Sequence, residues 1–588
     1  MSNEQISAVG KKYLEKATMI WNVADMLRGY FKPHEYGLVI LPMTVVKRFH
    51  DCLLPTWQKV QDRYAELQSK KIKVIDVFLT KATGYQFYNT SKFTFAKLLN
   101  DPRNIEENFQ EYLNGFSPNV QDVLEKFDFA PIIRRLVESN TLYLTIKEFN
   151  TPKGYLGPDK ISALDCGYLF EELVRRFSEF NEAGEHFTSR DIIYLMTDLL
   201  LCDSSLRGKG NVTVYDMAMG TSQMLTCMEE RIGALNDELD VNCFGQEINP
   251  STFAIAKADM LIRGGNPDNM KFGDTLSDDK FVGYTFDYCI SNPPFGIDWK
   301  REKKEVEKEH KLGAQGRFEP GLPKISDGQQ LFLLNGLAKL APKKGRMAII
   351  QNGSPLFAGG AGSGSSEIRR YLLENDWLDA IIQLGTDQFM NTGIATYIWI
   401  CSKSKSIWRS GKVQLIDASH CFEPRRKGLG NKRNDITEKC RKLIVEAYGA
   451  FENDEIYGDK GGIYCHSKIF KTEEFGYRTI VVERPKRDEN GKVVMKKRKP
   501  VPDKALRDTE NVPLTEDVEE YFRREVLPYA PDAWIDHNKT KIGYEIPMTR
   551  YFYEYQKPEP VEAIVARIKA LEADIDKSLT ELFHKEAK

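Results

Sequence analysis

The spacing of apolar and polar positions changes along the chain and divides it. Up to about residue 165 the apolar residues recur at helical intervals: Trp21, Ala24 and Leu27 share one face, and a longer apolar stretch runs from Leu38 to Phe49. Gly84, Asn104, Asn114-Gly115 and Pro118 punctuate the rest of this region, and no internal repeat is evident. This part reads as a helical packing domain without chemistry of its own. From Gly167 the pattern shifts. Phe170-Glu171-Glu172-Leu173 opens an amphipathic helix to Phe177, a polar loop comes next, and another helix is predicted from Asp191. Short apolar runs then alternate with helical segments: Val212 to Tyr215, a helix to about Ile232, Cys243 to Glu247, Lys271 to Asp274, and a run ending at Ser291. Further strands are predicted at Arg346 to Gln351, Asp379 to Leu384 and Tyr397 to Cys401. This alternation predicts an α/β fold built on a doubly wound sheet.

The run ending at Ser291 stops abruptly at Asn292-Pro293-Pro294-Phe295. Two successive prolines cannot continue a central strand, since each lacks the N–H and fixes φ near −65°. A stiff loop therefore begins at the carboxyl end of a strand, the edge where open α/β sheets bind ligands. Such a loop suits methylation of an exocyclic amine. The lone pair of an adenine N6 is delocalised into the ring, and acceptors from Asn292 and the Pro293 carbonyl would favour the pyramidal geometry of attack. Phe295 would stack on the base, and the prolines hold the carbonyl in place beforehand. Taken alone, the tetrapeptide reads equally well as a strand-ending turn with a core phenylalanine.

Its context sharpens the reading. The first strand leads into Asp216-Met217-Ala218-Met219-Gly220-Thr221, a D-x-x-x-G-T turn rather than G-x-G-x-x-G. It places a carboxylate where a dinucleotide site would need close backbone approach to a pyrophosphate. That suits a cationic, amine-bearing ligand. Glu247 ends the second strand, where a carboxylate grips ribose hydroxyls. Asp274 ends the third, where it would accept from an adenine amine. Any one of these acids alone is more often a helix cap or a solvated loop residue. In order, and followed by Asn-Pro-Pro-Phe, they describe a site for S-adenosylmethionine beside a target amine. Ahead of them, Gly184-Glu185-His186-Phe187-Thr188-Ser189-Arg190 leads into a helix N-terminus, whose free N–H groups welcome an anionic group. His186 in isolation reads as a surface or packing histidine.

Composition narrows the class. The 588 residues exceed one ordinary domain, and 41% hydrophobic with 29% charged residues describes a soluble globular protein. No stretch approaches ~18 uninterrupted apolar residues, so no membrane span is expected. Met1 to Glu15 lacks a signal-peptide h-region, and ten singly scattered cysteines without a C-x-x-C pair offer neither a zinc site nor a disulfide framework. A reducing cytoplasm is the expected compartment, and no metal site is expected. The formal charge of −2 means that any DNA contact is local or shared with a partner.

Across most of its length the sequence resembles the methyltransferase (M) subunit of type I restriction–modification systems, an adenine-specific N6 DNA methyltransferase. The resemblance rests on Leu27-Arg28-Gly29, Leu41-Pro42, Gly184 to Arg190, Asp216 to Leu225, Phe244 to Pro250 and Ser291 to Gly296. It continues through Gly353 to Phe357, Asn391 to Ile394, Phe475-Gly476-Tyr477, Glu483-Arg484-Pro485 and Gly543 to Pro547. It implies a Rossmann-like S-adenosylmethionine-dependent methyltransferase sheet with a helical N-terminal domain and a C-terminal extension ending in a helix. The domains would be 1–165, 166–405, 406–557 and 558–588. It implies that Glu185, His186, Phe187, Thr188, Ser189 and Arg190 contact the methionine end of the cofactor. The turn from Asp216 through Ala218, Gly220, Thr221, Ser222 and Gln223 to Met224 would do the same. Glu247 would bind the ribose, Asp274 the adenine, and Asn292, Pro293, Pro294 and Phe295 the flipped target base. The motif order is that of the gamma amino-methyltransferases. Ser222-Gln223 stands where the family usually has Gly-Gly or Ala-Gly, and Ser189 where it has Pro; Gln223 would tighten the pocket. Implied partners are double-stranded DNA, a specificity (S) subunit that reads the bases, with two copies of this chain per S subunit, and a restriction (R) subunit that cuts. Competing readings are a catalytically silent scaffold of the same fold and a protein-glutamine methyltransferase.

Three later stretches stand apart. Gly359 to Ser366 is glycine-rich without the lysine of a P-loop, and reads as a mobile loop before a helix capped by Ser366. It serves either as a connector or as a loop that orders around DNA or a partner. Residues 484–504 hold nine Lys/Arg against three acidic residues around an Asn490-Gly491 turn signal, either a solvated face or a phosphate-contacting ribbon. After Pro558 and Pro560, the residues Val561, Ile564, Ile568, Leu571, Ile575 and Leu582 form a narrow seam on a helix. That seam packs either on the chain's own N-terminal helices or on the S subunit.

Overall fold

Aliphatic runs covered on both faces make the sheet. Its strands are β1 (Gly210–Asp216), β2 (Leu239–Glu247), β3 (Met270–Phe272), β4 (Tyr288–Ser291), β5 (Arg346–Gln351), β6 (Leu378–Leu384) and β7 (Tyr397–Ser402). β8 (Lys412–Ala418) is next, then a separate pair, β9 (Glu423–Leu429) and β10 (Lys432–Asp435), and finally β11 (Glu455–Gly458) and β12 (Tyr464–Lys471). Every residue of β4 and β7 is buried, as expected of strands covered by helices on both sides. The computed structural model describes residues 16, 20–178, 188–202, 206, 208, 210–555 and 559–586, in two compact units, 1–546 and 547–588.

The ten-stranded sheet runs β11-β12-β8-β6-β7-β5-β4-β1-β2-β3. From β3 to β5 all neighbours are parallel, and β7 enters antiparallel to both β5 and β6. The chain steps outward from β1 through β2 to β3, then returns to the other side of β1 as β4. That reversal opens a crevice outside the carboxyl ends of β1 and β4. The Rossmann-like sheet expected from the sequence is thus borne out. It extends past residue 405, with β8 parallel to β6 and β12 antiparallel to β8.

The N-terminal region is helical. In the helix Tyr36–Leu53 every residue but Leu38 is buried. Its Val39, Val46 and Phe49 share a core with Phe109, Leu136 and Phe149, and that core continues into Ala254, Ile255, Ala258 and Leu261 of the helix Pro250–Arg263. The helical region is therefore fused to the helix after β2; Lys257 on that helix reaches Asp122 at 2.5 Å.

The glycine-rich stretch is tied down by Arg369, 1% exposed, which donates to the carbonyls of Pro355 (2.9 Å), Ala358 (2.9 Å) and Gly359 (3.0 Å). The helix there, Gly364–Glu374, is capped by Ser363 rather than Ser366. Ser363 has the extended backbone a cap needs, while the Ser366 hydroxyl accepts from Tyr544 N at 3.0 Å. Beyond β12, β13 (Gly476–Glu483) is followed by two short strands, β14 (Met495–Lys496) and β15 (Lys499–Pro500). It pairs with β16 (Asp508–Pro513), β17 (Trp534–Ile535) and β18 (Lys541–Tyr544). The unit 547–588 contains the helix Val561–Glu586, on which Val561, Ile564, Ile568, Leu571 and Ile575 are exposed; the side chain of Leu582 lies outside the described residues. No helix among the described residues is long and apolar enough to cross a membrane.

Candidate active site

Four strand ends converge at the crevice. Asp216, the last residue of β1, is 1% exposed and accepts from the Ser291 hydroxyl at 2.6 Å and from Ala218 N at 3.1 Å. The first contact ties the end of β1 to the end of β4; the second closes the turn after β1. Burial pushes the Asp216 carboxyl up to about 7; hydrogen bonds from Ser291 and Ala218 pull the other way, and the Glu247 charge adds to the rise. Glu247, at the end of β2, accepts from Gly220 N (2.8 Å) and from Asn249 N (2.7 Å). Asp274, just past β3, accepts from Leu276 N (2.8 Å) and from the Ser277 hydroxyl (2.9 Å).

The turn between β1 and the helix Gln223–Leu235 is left-handed at two positions, Gly220 (φ +53°) and Ser222 (φ +66°). A Cβ on Gly220 would meet no atom within 4 Å, so there is open space over the turn. Ser222 takes a conformation in which glycine would be unstrained, at a cost of about 1 kcal/mol. Thr221 and Met224 are buried beside it.

Gln223, the departure from the family pattern, is 7% exposed and turns toward the preceding helices. Its Oε1 accepts from Arg190 at 2.7 Å and its Nε2 donates to Gly167 O at 3.4 Å. Arg190 also donates to Glu171 at 2.7 Å, and its guanidinium carbon lies 3.1 Å from the centroid of the Tyr168 ring. Sequence reasoning missed this clamp. Glu171 stood inside an amphipathic helix, with nothing in its spacing to single it out from Glu172.

Thr188 accepts from Asn292 Nδ2 at 2.8 Å, joining the segment before β1 to the loop after β4 across 104 positions. With its NH2 engaged there, the Asn292 amide presents its oxygen as the acceptor. Asn292 is 8% exposed and Phe295 6%, the ring packed with the core residues of one sheet face. Pro293 and Pro294 carry the chain between them. Glu185, His186 and Phe187 lie outside the described residues.

The residues present fit S-adenosylmethionine by three observations. Ser189 Oγ and Arg190 Nη1 are buried, with no hydrogen-bond partner among the described residues, at the N-terminus of the helix Arg190–Leu201, where a carboxylate is favoured. The space over Gly220 is open. Asp216 is a buried acid that a neighbouring cation would ionise. Among the described residues no group of three or more His, Cys, Asp or Glu is placed to hold a metal ion.

Strand order and crevice together define a methyltransferase fold. A solved structure with this fold, the type I restriction–modification methyltransferase subunit from Streptococcus thermophilus, aligns with a TM-score of 0.62 at 24% identity over 79% of this chain and 97% of that one. The sequence profile of the family described as N-6 DNA Methylase matches residues 163–478, and that described as HsdM N-terminal domain matches 16–149. The chain belongs to the N-6 DNA methylase family. Its relatives include the MjaIX methylase subunit of Methanocaldococcus jannaschii, 23% identical and covering 75% of this chain and 78% of that protein. Another is the HindI methylase subunit of Haemophilus influenzae, 25% identical and covering 66% and 81%; both are named as type I restriction enzyme subunits. The resemblance read from the sequence is borne out, and neither the silent scaffold nor the glutamine methyltransferase is favoured by these matches.

Proposed function

We propose that this chain transfers a methyl group from S-adenosylmethionine to N6 of an adenine flipped out of duplex DNA, as the modification subunit of a type I complex. The observation that carries this reading is the meeting of Thr188, Asp216, Ser291 and Asn292 at one crevice, through hydrogen bonds of 2.6 and 2.8 Å. Bound there, S-adenosylmethionine supplies an electrophilic methyl group on a sulfonium. Ser189 and Arg190 receive its carboxylate, Glu247 its ribose hydroxyls and Asp274 its adenine amine. The Asn292 oxygen and the Pro293 carbonyl accept from the two hydrogens of the target amine. They would turn its lone pair out of the ring plane and toward the methyl. As the N–C bond forms the sulfur–methyl bond breaks, its electron pair staying on the sulfur as a neutral thioether, and the surplus proton on the nitrogen leaves to solvent. Phe295 stacks on the base once the loop admits it, since a base inside a duplex cannot reach this crevice.

The exposed seam of Val561–Glu586 docks on helices of a specificity subunit, two copies of this chain to one such subunit, and DNA cleavage belongs to a separate restriction subunit. A helix of this length with a narrow seam is marginal alone in water, which supports a docking role. The test of the catalytic reading is tritium transfer from labelled S-adenosylmethionine to DNA by the assembled complex. Asn292→Ala should abolish transfer while sparing cofactor binding. Transfer by that variant at the wild-type rate would remove Asn292 from the chemistry.

A further inference from the structure

Residues 484–504 lie beyond the stretch that matches the N-6 DNA methylase family, which ends at 478. They leave the end of β13 and fold back on themselves as a small ribbon. Asp488 N donates to Lys492 O (2.9 Å), Val494 N to Lys486 O (2.8 Å), Val501 N to Val494 O (2.9 Å) and Lys486 N to Val501 O (2.8 Å). The ribbon is anchored at its base, where Arg484 and Arg487 both pair with Asp532, at 3.1 and 2.9 Å. Its remaining cations are placed differently: Lys496 to Lys499 at the tip, Lys492 at the 488–492 turn, and Lys504 back at the base, where Asp503 N donates to Arg484 O at 2.8 Å. Lys492, Lys496, Lys497, Arg498, Lys499 and Lys504 are all exposed, and none has an acidic partner among the described residues. The segment carries a net +6 in a chain of net −2.

The tip adds a second observation. β14 and β15 pair through Lys496 and Lys499, so Lys497 and Arg498 are the two central residues of a tight turn. Both have positive φ, +52° and +64°. This is the primed turn that Asn-Gly makes without strain, and two long cationic residues occupy it instead. Four consecutive cations thus stand at the end of a stiffened arm, held apart from the acids that would neutralise them. Local stability would favour other residues at this turn.

We propose that this ribbon is a sequence-independent contact for the phosphate backbone of duplex DNA, outside the base-flipping crevice. Six exposed cations without an acidic partner among the described residues offer several point charges to a polyanion, and a duplex presents phosphates all along its length. The assignment gives an otherwise acidic chain the local positive surface that DNA contact requires. It rests on the DNA methyltransferase reading for the identity of the polyanion, but the ribbon and the crevice share no residue.

The test uses the full chain and a duplex of about 20 base pairs, with binding followed by fluorescence anisotropy between about 50 and 200 mM salt. Replacing the six residues by glutamine should lower affinity at least tenfold at the low-salt end. It should also flatten the slope of log K against log salt by about three to five, since each engaged phosphate contributes about 0.9. A second variant, Lys497→Asn with Arg498→Gly, relieves the turn while removing two charges. It should keep or raise the melting temperature yet flatten the slope by about two. A purely structural role for the ribbon predicts no loss of binding in that variant. Unchanged affinity and slope in the six-residue variant would overturn the proposal, as would the absence of duplex binding by the wild-type chain at low salt. An acidic protein captured in place of DNA would overturn it too. Failure of the catalytic reading shows separately, as methylation by Asn292→Ala, and leaves this measurement intact.

Discussion

Replacing Asp216 by asparagine tests the electrostatics of the crevice directly. In the folded chain its carboxyl is pushed up to about 7 by burial, against an ordinary value of 3.8. The folded state therefore holds the proton more tightly than the unfolded state does, and stability falls as pH rises between those two values, levelling off above the folded one. The slope in that window is about 1.4 kcal/mol per pH unit, so from pH 5 to pH 8 the Asp216 contribution declines by about 2.5 kcal/mol. Asparagine keeps an oxygen that accepts from the Ser291 hydroxyl and Ala218 N, and it has no charge to bury. The wild type should thus lose stability relative to Asp216→Asn as pH rises through this range, measured by urea unfolding of both chains at each pH. Acids remote from Asp216 titrate alike in both chains, so the difference isolates this group together with its interaction with Glu247. A pH-independent difference would refute the argument that burial, rather than the hydrogen bonds, governs this carboxyl. A ligand cation beside Asp216 reverses the sign. S-adenosylmethionine should bind the wild type more tightly as pH rises through about 7, more steeply than the neutral-sulfur product S-adenosylhomocysteine does, and Asp216→Asn should erase that contrast.

Glu247→Ala should weaken S-adenosylmethionine binding tenfold to a hundredfold, for about 1.5–3 kcal/mol per hydrogen bond to a charged group; equal affinities by calorimetry would take Glu247 out of the site. The same change strips acceptors from Gly220 N and Asn249 N, so a lowered melting temperature should accompany it. Gln223→Ala releases one arm of Arg190 and should cost several-fold in cofactor affinity; unchanged binding would mean that Glu171 and Tyr168 hold Arg190 without it. Truncation after residue 557 leaves the unit 1–546 whole, and should preserve folding and cofactor binding while abolishing assembly with the specificity subunit. Co-purification at full-length levels would sink the docking role, and loss of soluble protein would mean that the helix completes this chain's own core.

Much of the crevice was legible in the residues themselves, because its signals are local. A strand that runs into two prolines must end there, and short apolar runs with an acid at the end mark the carboxyl edge of a sheet. Arg346–Gln351 was legible as a short strand-like run in the strand–helix alternation and folds as β5 over the same six residues. Tyr397 to Cys401 extends by one residue, to Ser402. The tail helix likewise came from a spacing of three and four. What stayed hidden depends on which strands become neighbours. That β7 slips between β5 and β6, and that β8 and β12 carry the sheet past residue 405, results from long-range pairing that leaves no periodic trace. The same holds for the side chains. Asp216 was legible as an acid at a strand end. Only the placement of β4 beside β1 turned it into an acceptor for Ser291, 75 positions away, and buried it until its proton was hard to remove. Thr188 meets Asn292, and Gln223 meets Arg190, for the same reason. Residue types and local geometry belong to the sequence. The partners of a buried polar group are set by the packing that shuts out water, since once water is excluded each such group must find its hydrogen bonds within the fold.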